Sequence, residues 1–393
     1  MKGRFPMRFI HTADWHLGRL FFGRHLTDDQ AHVLDELVHL ARDARAEAVV
    51  IAGDVYDRAV PPVEAVELFD EVLSRLLLDE KLKVIYIAGN HDSAARLGFG
   101  SRLLAGGGVF VAGQLQADVA PVILDDAHGK VAFSLLPYME PATVRFAYGE
   151  AAEDLAGFDE ATSFAVARAA ALVPEGCRSV AVAHAFIAGG ALSESERPLS
   201  VGGSDSVSPA CFAPFSYTAL GHLHAPQQAG AANIRYAGSL MKYSFSEAGQ
   251  RKGATVVDLA ADGSVTIEEA ALAAPHDLAV VRGTLQEILE DRERFPKSED
   301  YTAVELMDKG PVLDAHGKLS RIYPNVLQVT RPGLMEQAGA LREQGRKKLE
   351  RPDDVLFGEF FADMTGETLD EAQKKELFDV LEELLREERE AKI

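Results

Sequence analysis

The sequence predicts an α/β protein with two stacked mixed β-sheets flanked by helices, followed by a small α+β domain and C-terminal helices. Three observations predict it. Apolar runs alternate with helix-period patterns over roughly the first hundred residues, the rhythm of a partly parallel sheet with right-handed crossovers. After Phe110 the runs become mostly short strands, which a second sheet stacked on the first accommodates. The composition then breaks at residues 271–275, and a shorter strand–helix pattern follows.

The elements justify themselves in order. Residues 8–13 read as a strand. Residues 27–46 read as a helix, with Thr27 as N-cap, Asp28 and Asp29 in the first turn, and Val33, Leu34, Leu37, Val38 and Ala41 on one face. Residues 48–52 (AVVIA) form a buried-type strand. Residues 61–79 form a second helix opened by prolines, and residues 83–88 (KVIYIA) a third strand. Residues 131–136, 179–183, 217–220, 234–237 and 254–259 read as strands, interrupted by one helix over 159–173. Beyond the break, strands are expected at 278–285, 301–307 and 325–330, with helices at 286–295 and 313–322 between them. From Pro332 the chain reads as charged helix, and Thr368 with Glu371 has the spacing of a capping box. The expected domains are 1–272, 275–332 and 333–393.

At 393 residues the chain can bury full cores without disulfide staples, and 47% hydrophobic with 26% charged residues excludes wholesale disorder. The 61 acidic residues exceed the 40 Lys and Arg, for a net charge of -21. That balance argues against a generally basic nucleic-acid coat and against binding to an anionic membrane surface. Phosphate chemistry stays open, because bound metal ions supply local positive charge. Cys177 and Cys211 are the only cysteines and form no C-x-x-C pair, so a reducing compartment is expected. The opening MKGRFPMRFIHTADWH turns polar at His11 and Asp14 and does not fit a signal peptide, and no apolar run is long enough for a membrane span. A soluble, cytoplasmic protein is the expectation.

The chemistry-bearing motifs share one placement, at the ends of apolar strands. Asp14 and His16 follow the first strand and Gly53–Asp54 follow the second. Gly89-Asn90-His91-Asp92 follow the third, His184 follows residues 179–183, and Gly221-His222-Leu223-His224 follow 217–220. Ligands of open α/β sheets bind beyond the carboxyl ends of the strands, and glycines at 53, 89 and 221 are expected to let the backbone turn sharply there. Each motif is weak alone: D-x-H occurs by chance, and G-D or G-N-H-D can mark a turn. Together, Asp14, His16, Asp54, Asn90, His184, His222 and His224 supply seven nitrogen or oxygen ligands and no thiolate. Seven exceed one tetrahedral site and suit two ions sharing a carboxylate bridge, with Mn²⁺, Fe²⁺ or Zn²⁺ favoured over Mg²⁺ or Ca²⁺. The other seven histidines (11, 25, 32, 39, 128, 276, 316) are assigned no role.

The order D-x-H, G-D, G-N-H-D, H, G-H-x-H resembles the calcineurin-like metallophosphoesterases. The strings HTADWHLGR (11–19), GDVYDRAVPP (53–62), AGNHDS (88–93), ALGHLHAPQ (219–227) and YAGSLMKYSFSEAG (236–249) are similar to the SbcD-type nuclease branch, kin to the nuclease that partners the Rad50 ATPase. The resemblance implies the metallophosphoesterase sandwich and a DNA nuclease with exonuclease and endonuclease activity. It also implies two divalent ions, Mn²⁺ foremost, and an SbcC-type ATPase partner with a homodimer inside a heterotetramer. It would place Asp14, His16, Asp54 and His224 on one ion and Asp54, Asn90, His184 and His222 on the other, with Asp54 bridging. His91 would face the leaving oxygen as a catalytic group, and Asp92 would either fix the tautomer of His91 or cap its own turn.

Asp57 and Arg58 partly match the G-D-x-x-D-R-G string of the Ser/Thr phosphatase branch, although Ala59 replaces the last glycine. The alternatives are therefore a phosphatase or cyclic-nucleotide phosphodiesterase, or a DNA-end-binding scaffold with a vestigial site. Trp15 reads as loop packing rather than a base-stacking platform. The basic run of Arg342, Arg346, Lys347, Lys348 and Arg351 reads first as a solvated helix face. Leu356, Phe357, Phe360 and Phe361, then Leu377, Phe378, Leu381, Leu384 and Leu385, form apolar stripes. These either pack on their own domain or dock on the base of the partner's coiled coil.

Overall fold

The computed structural model describes residues 6–196, 206–310, 312–333, 353–365 and 367–390. Two compact units divide the chain. The first comprises Met1–Val280, Ser298–Ala303 and Tyr323–Leu327, and the second Val281–Lys297, Val304–Ile322 and Gln328–Ile393.

In the first unit the chain runs β1 (Met7–Thr12), a small hairpin β2 (Leu20–Phe21) and β3 (Arg24–His25), α1 (Thr27–Asp43), β4 (Ala48–Ile51), α2 (Val63–Ser74) and β5 (Lys83–Ile87). Short helices α3 (Ala94–Leu97) and α4 (Ser101–Gly107) lead to β6 (Val109–Ala112), β7 (Val122–Asp126) and β8 (Gly129–Leu136). Helices α5 (Pro141–Tyr148) and α6 (Phe158–Ala171) precede β9 (Arg178–His184), β10 (Tyr217–Gly221), β11 (Gln227–Ala229), β12 (Ala231–Tyr236), β13 (Gly253–Leu259) and β14 (Val265–Ala271).

Two six-stranded sheets result, ordered β14-β13-β1-β4-β5-β6 and β11-β12-β10-β9-β8-β7. The run β1-β4-β5-β6 is parallel, as is β8-β9-β10-β12, and antiparallel strands flank both. Strands covered on both faces need continuous apolar sequence, and every residue of β4 and β9 is buried. Between the sheets Phe9, Val50 and Ile87 meet Phe133, Val182 and Tyr217, with Phe9 edge-on to Phe133 and Tyr217 at 5.6 and 5.7 Å. Helices α1 and α2 cover the outer face of the first sheet, and α5 and α6 that of the second. A buried pair ties the sheets together. Arg178 donates to both oxygens of Asp126 (2.6 and 2.8 Å) and to the Leu259 carbonyl (3.1 Å), while Asp126 accepts from the Met7 amide at 2.6 Å.

Several boundaries differ from expectation. Thr27 is the first helical residue rather than the cap, and the α1 terminus has no side-chain cap. Asp29 in its first turn is buried and accepts from Tyr301 at 2.7 Å, with His276 Nδ1 at 2.8 Å. The second helix begins after both prolines, and its last turn widens into a π-helix over Arg75–Asp79. Helix α5, opened by Pro141, was not foreseen because its short periodic stretch lies among strand-like runs.

Beyond β14 a three-stranded sheet has the order β15 (Leu278–Gly283), β16 (Tyr301–Leu306), β17 (Val326–Thr330). In the second unit α7 (Leu285–Glu290) carries a capping box between Thr284 and Glu287, and Asp314 caps α8 (Ala315–Leu319). Helices Asp353–Thr365 and Glu371–Glu390 follow. The capping box of the last helix is not Thr368 with Glu371. Asp370 accepts from the Gln373 amide at 2.8 Å, and Gln373 accepts from the Asp370 amide at 3.0 Å. Asp, like Thr, offers a short side-chain oxygen that can accept from the first amides of a helix, so two adjacent stretches competed for this role. Phe357, Phe360, Met364 and Phe378 are exposed. The 342–351 basic run and the side chains of Leu381, Leu384 and Leu385 lie outside the described residues.

Candidate metal centre

Parallel pairing of β1 with β4 and β5, and of β9 with β10, brings their carboxyl ends to one edge of each sheet. The loops leaving those ends are laced together by main-chain bonds. The Asp14 amide donates to Gly53 O and the His16 amide to Asp54 O, both at 3.0 Å. All six Asp and His candidates are buried. Nine described non-glycine residues have positive φ, and four of them are candidates: Asp14 (53°), His16 (46°), Asp54 (49°) and His222 (111°). Such strained conformations persist where the surroundings over-determine them, typically at functional sites.

The three glycines act differently from the expectation of sharp turns. Only Gly53 has positive φ (93°). At Gly89 and Gly221 the requirement is close approach: a Cβ would lie 2.1 Å from Asp54 Oδ1 and 1.9 Å from Ala52 O, respectively.

The candidate ligand atoms face one another. His16 Nε2 and His224 Nε2 are 3.1 Å apart. Asp54 Oδ2 lies 3.9 Å from His16 Nε2 and 3.5 Å from His184 Nε2. Asn90 Oδ1 is 2.9 Å from His184 Nε2 and 3.1 Å from His222 Nδ1. Asp14 accepts from the His222 amide at 3.0 and 3.1 Å. Asp14, His16 and His224 bring ligand atoms within 4.8 Å of one another, as do Asp14, Asp54 and His184. These residues fit divalent ions: several basic nitrogens and carboxylate oxygens converge in a buried space, and the buried Nδ1 of His16 has no hydrogen-bond partner. Asp57 joins a third grouping with His16 and His91.

Charge follows from the same packing. Burial lowers the pKa of His16, His222 (to about 3) and His224, the neutral state that metal ligation needs. Burial pushes the Asp54 carboxyl up, but His184, then His16 and His91, pull it below the usual carboxylate range. The reciprocal effect of Asp54 outweighs burial at His184 and raises it to about 9. Burial raises Asp14. Bound cations favour every carboxylate and every neutral imidazole, so they reinforce the shifts at His16, His222, His224 and Asp54 and oppose those at Asp14 and His184.

His91 is tied to the cluster by its amide, which donates to Asp54 Oδ1 at 2.8 Å. Its ring partner is not Asp92: Nδ1 lies 2.8 Å from the Asp57 carbonyl. Asp92 spans two loops. It accepts from the amides of Gly89 (3.0 Å), Val55 (3.1 Å) and Tyr56 (2.9 Å), clamping two loops together. Burial, then the Asp54 charge, raise Asp92 to about 7.

Residues outside the motifs complete the centre. Gln30 donates to the carbonyls of His16 (2.9 Å) and Trp15 (3.1 Å), and Tyr243 O–H also donates to Trp15 O. A glutamine on the buried apolar face of α1 was a legible signal. Trp15 is fully buried, donates to Thr12 Oγ1 at 2.9 Å and packs edge-on against Phe69. Arg19 pairs with Asp57 at 3.1 Å. Glu247, beside Ser195, His224 and Lys252, is held to about 2 against burial by His224 and Lys252. It lies within the 236–249 string, but no spacing rule singles it out. His11, by contrast, is a satisfied core residue between Tyr217 Oη (2.9 Å) and Leu220 O (3.1 Å).

The calcineurin-like phosphoesterase family model matches residues 7–150. A second, SbcD_C, described as type 5 capsule protein repressor C-terminal domain, matches residues 274–365. The chain is an SbcD-type member of the calcineurin-like phosphoesterases. This family binds two divalent metals and hydrolyses phosphate esters with them. Among solved structures, a Thermus thermophilus protein is 15% identical, covering 67% of this chain and 99% of that chain with a TM-score of 0.38. A dimetal phosphatase from Danio rerio is 12% identical, covering 68% and 98% with a TM-score of 0.39. GAP50, the anchor in the inner membrane complex of Plasmodium, is 12% identical, covering 83% and 97% with a TM-score of 0.39. Among the described residues no helix is long and apolar enough to cross a membrane.

Proposed function

We propose that this SbcD-type phosphoesterase is the nuclease subunit of a cytoplasmic DNA-processing complex. It cleaves double-stranded ends as an exonuclease, and single strands and hairpins as an endonuclease, with an SbcC-type ATPase. One observation carries the reading: the same chain joins buried groups of Asp and His that could hold metal ions to an SbcD_C segment. Residues 1–272 form the nuclease domain, 275–332 a small capping domain on the DNA side, and 333–393 the partner-binding region. Asp14, His16, Asp54 and His224 hold one ion, and Asp54, Asn90, His184 and His222 the other, with Mn²⁺ the favoured metal. The second copy of a homodimer is served by exposed apolar side chains such as Val66 and Phe99, which line one groove with Tyr56, Phe69 and Leu97.

When bound, the ions supply Lewis-acid activation of the phosphodiester and lower the pKa of an attacking water. The chain's own residues orient the rest. The Asp57 carbonyl accepts from Nδ1–H of His91, so Nε2 is the free ring atom; in the imidazolium form it gives its proton to the leaving oxygen and the ring remains as the neutral Nδ1–H tautomer. Asp92 fixes the Gly89 loop against Val55 and Tyr56, so His91 and Asp54 keep one relative position. At a net charge of -21 the isolated chain repels DNA at long range, and the ATPase supplies much of the affinity. The test is cleavage of linear duplex, hairpin and single-stranded DNA with Mn²⁺ or Mg²⁺, with and without the ATPase. A phosphopeptide and a chromogenic phosphodiester serve as comparators. Turnover of a comparator with no cleavage of any DNA overturns the proposal.

A further inference from the structure

The candidate ligand His224 is gripped at three points by residues outside every metal motif. Its amide donates to Glu196 Oε1 at 2.6 Å, and its carbonyl accepts from Lys252 Nζ at 2.7 Å. Its Nδ1 lies 2.6 Å from Ser195 Oγ, with Glu247 Oε1 farther off at 3.4 Å. Ser195 has a single hydroxyl proton, which it donates to Glu247 Oε1, so Oγ can only accept from His224. The imidazole proton therefore sits on Nδ1, and the Nε2 lone pair faces Nε2 of His16 at 3.1 Å. Glu247 itself is fully buried. Its Oε2 accepts from Lys252 Nζ at 2.8 Å and from the Tyr243 amide at 3.1 Å. Lys252 is also held by Ser239 Oγ and Gln250 Oε1, each at 2.8 Å. His184 differs, because its Nδ1 is backed by a neutral group, the Ala52 carbonyl at 2.9 Å. A buried ion pair adds little stability over apolar packing, so its place behind one ligand points to a role at that ligand.

We propose that Glu247, acting through Ser195 and steadied by Lys252, is a positioning residue that fixes the tautomer of His224 and sustains the affinity of only one of the two ions. This rests on the metal-centre reading above. Groups that hold a ligating histidine by its far nitrogen orient the ring and raise its basicity, and their loss typically costs about 10–100-fold in metal affinity.

The test is calorimetric titration of Mn²⁺ into the chelator-stripped full chain. Wild type is expected to bind two ions. Ser195→Ala and Glu247→Gln are each expected to weaken one ion by about 10–100-fold and leave the other unchanged. Ser195→Thr, which keeps the hydroxyl, is expected to restore the affinity. Glu247→Gln strands a buried lysine, so the double variant Glu247→Gln/Lys252→Met repeats the measurement without an unpaired charge. Wild-type affinity for both ions in Ser195→Ala and in the double variant overturns the proposal. Equal weakening of both ions, in step with a lowered melting temperature, also overturns it, because that is the signature of a merely structural role. A wild-type chain that binds no ions overturns the metal-centre reading itself.

Discussion

Adding one methyl group at Gly89 tests whether close approach, rather than chain flexibility, builds the centre. Gly89 is not among the residues with positive φ, so alanine meets no backbone penalty there. Its Cβ would lie 2.1 Å from Asp54 Oδ1, 2.4 Å from Asp54 N and 2.6 Å from Asp54 Cγ. Real Cβ contacts stay above 3.0 Å, so Asp54 has to retreat by about 0.9 Å, and its backbone moves with it. Overpacking of this kind costs about 1–3 kcal/mol of stability, which leaves a domain folded. Function is more sensitive, because a displacement near 1 Å costs roughly 10²-fold in rate. Gly89→Ala is therefore expected to melt as a folded protein, to bind Mn²⁺ more weakly at both positions, and to lose roughly 10²-fold of its DNA cleavage. Gly106→Ala is the control, since a Cβ there meets nothing within 4 Å. Calorimetric metal titration and single-turnover cleavage read both variants. Wild-type metal affinity and cleavage in Gly89→Ala would refute the steric account of the Asp54 bridge.

His91→Ala is expected to keep both ions and DNA binding while losing about 10²–10⁴-fold in turnover; loss of an ion instead makes His91 a ligand. Arg178→Met leaves the buried Asp126 carboxylate unpaired and should cost about 3–5 kcal/mol in denaturant unfolding, and a loss under 1 kcal/mol contradicts the clamp between the sheets. Burial pushes Asp126 up, but Arg178 and the His128 and Met7 amides outweigh it and hold the group below its ordinary value. The stabilisation is thus present above the unfolded carboxylate pKa and is lost as pH falls through the lower folded value, so wild type should lose stability in acid more steeply than Arg178→Met. Phe360 is already 60% exposed, so Phe360→Glu should leave the melting temperature unchanged while abolishing co-purification with the SbcC-type ATPase. Intact association by that variant removes Phe360 from the docking surface.

The sequence by itself determined the layered α/β architecture and which residues stand at the strand ends. Short, β-branched apolar runs such as AVVIA suit strands buried on both faces, and a motif that follows such a strand lies at its carboxyl end. Because parallel strands share one direction, such ends line up along one edge of each sheet, and Asp14, Asp54 and Asn90 on one sheet and His184 and His224 on the other could be read from their order along the chain, whereas the stacking of the sheets brings the two rows together. Tertiary structure decided what each contact does. Asp92 and Asp57 lie in adjacent turns with similar chemistry, and only the loop path gives the first three backbone amides and makes the second's carbonyl the partner of His91. The same holds for Gly89 and Gly221, whose sequence suggests flexibility but whose neighbours demand the absence of a side chain. Ser195, Glu247 and Lys252 carry no periodicity and no spacing to His224, since loops bring them together from 29, 23 and 28 residues away. Local patterns record the preferences of neighbours along the chain, whereas a hydrogen bond between loops depends on where the whole fold delivers them.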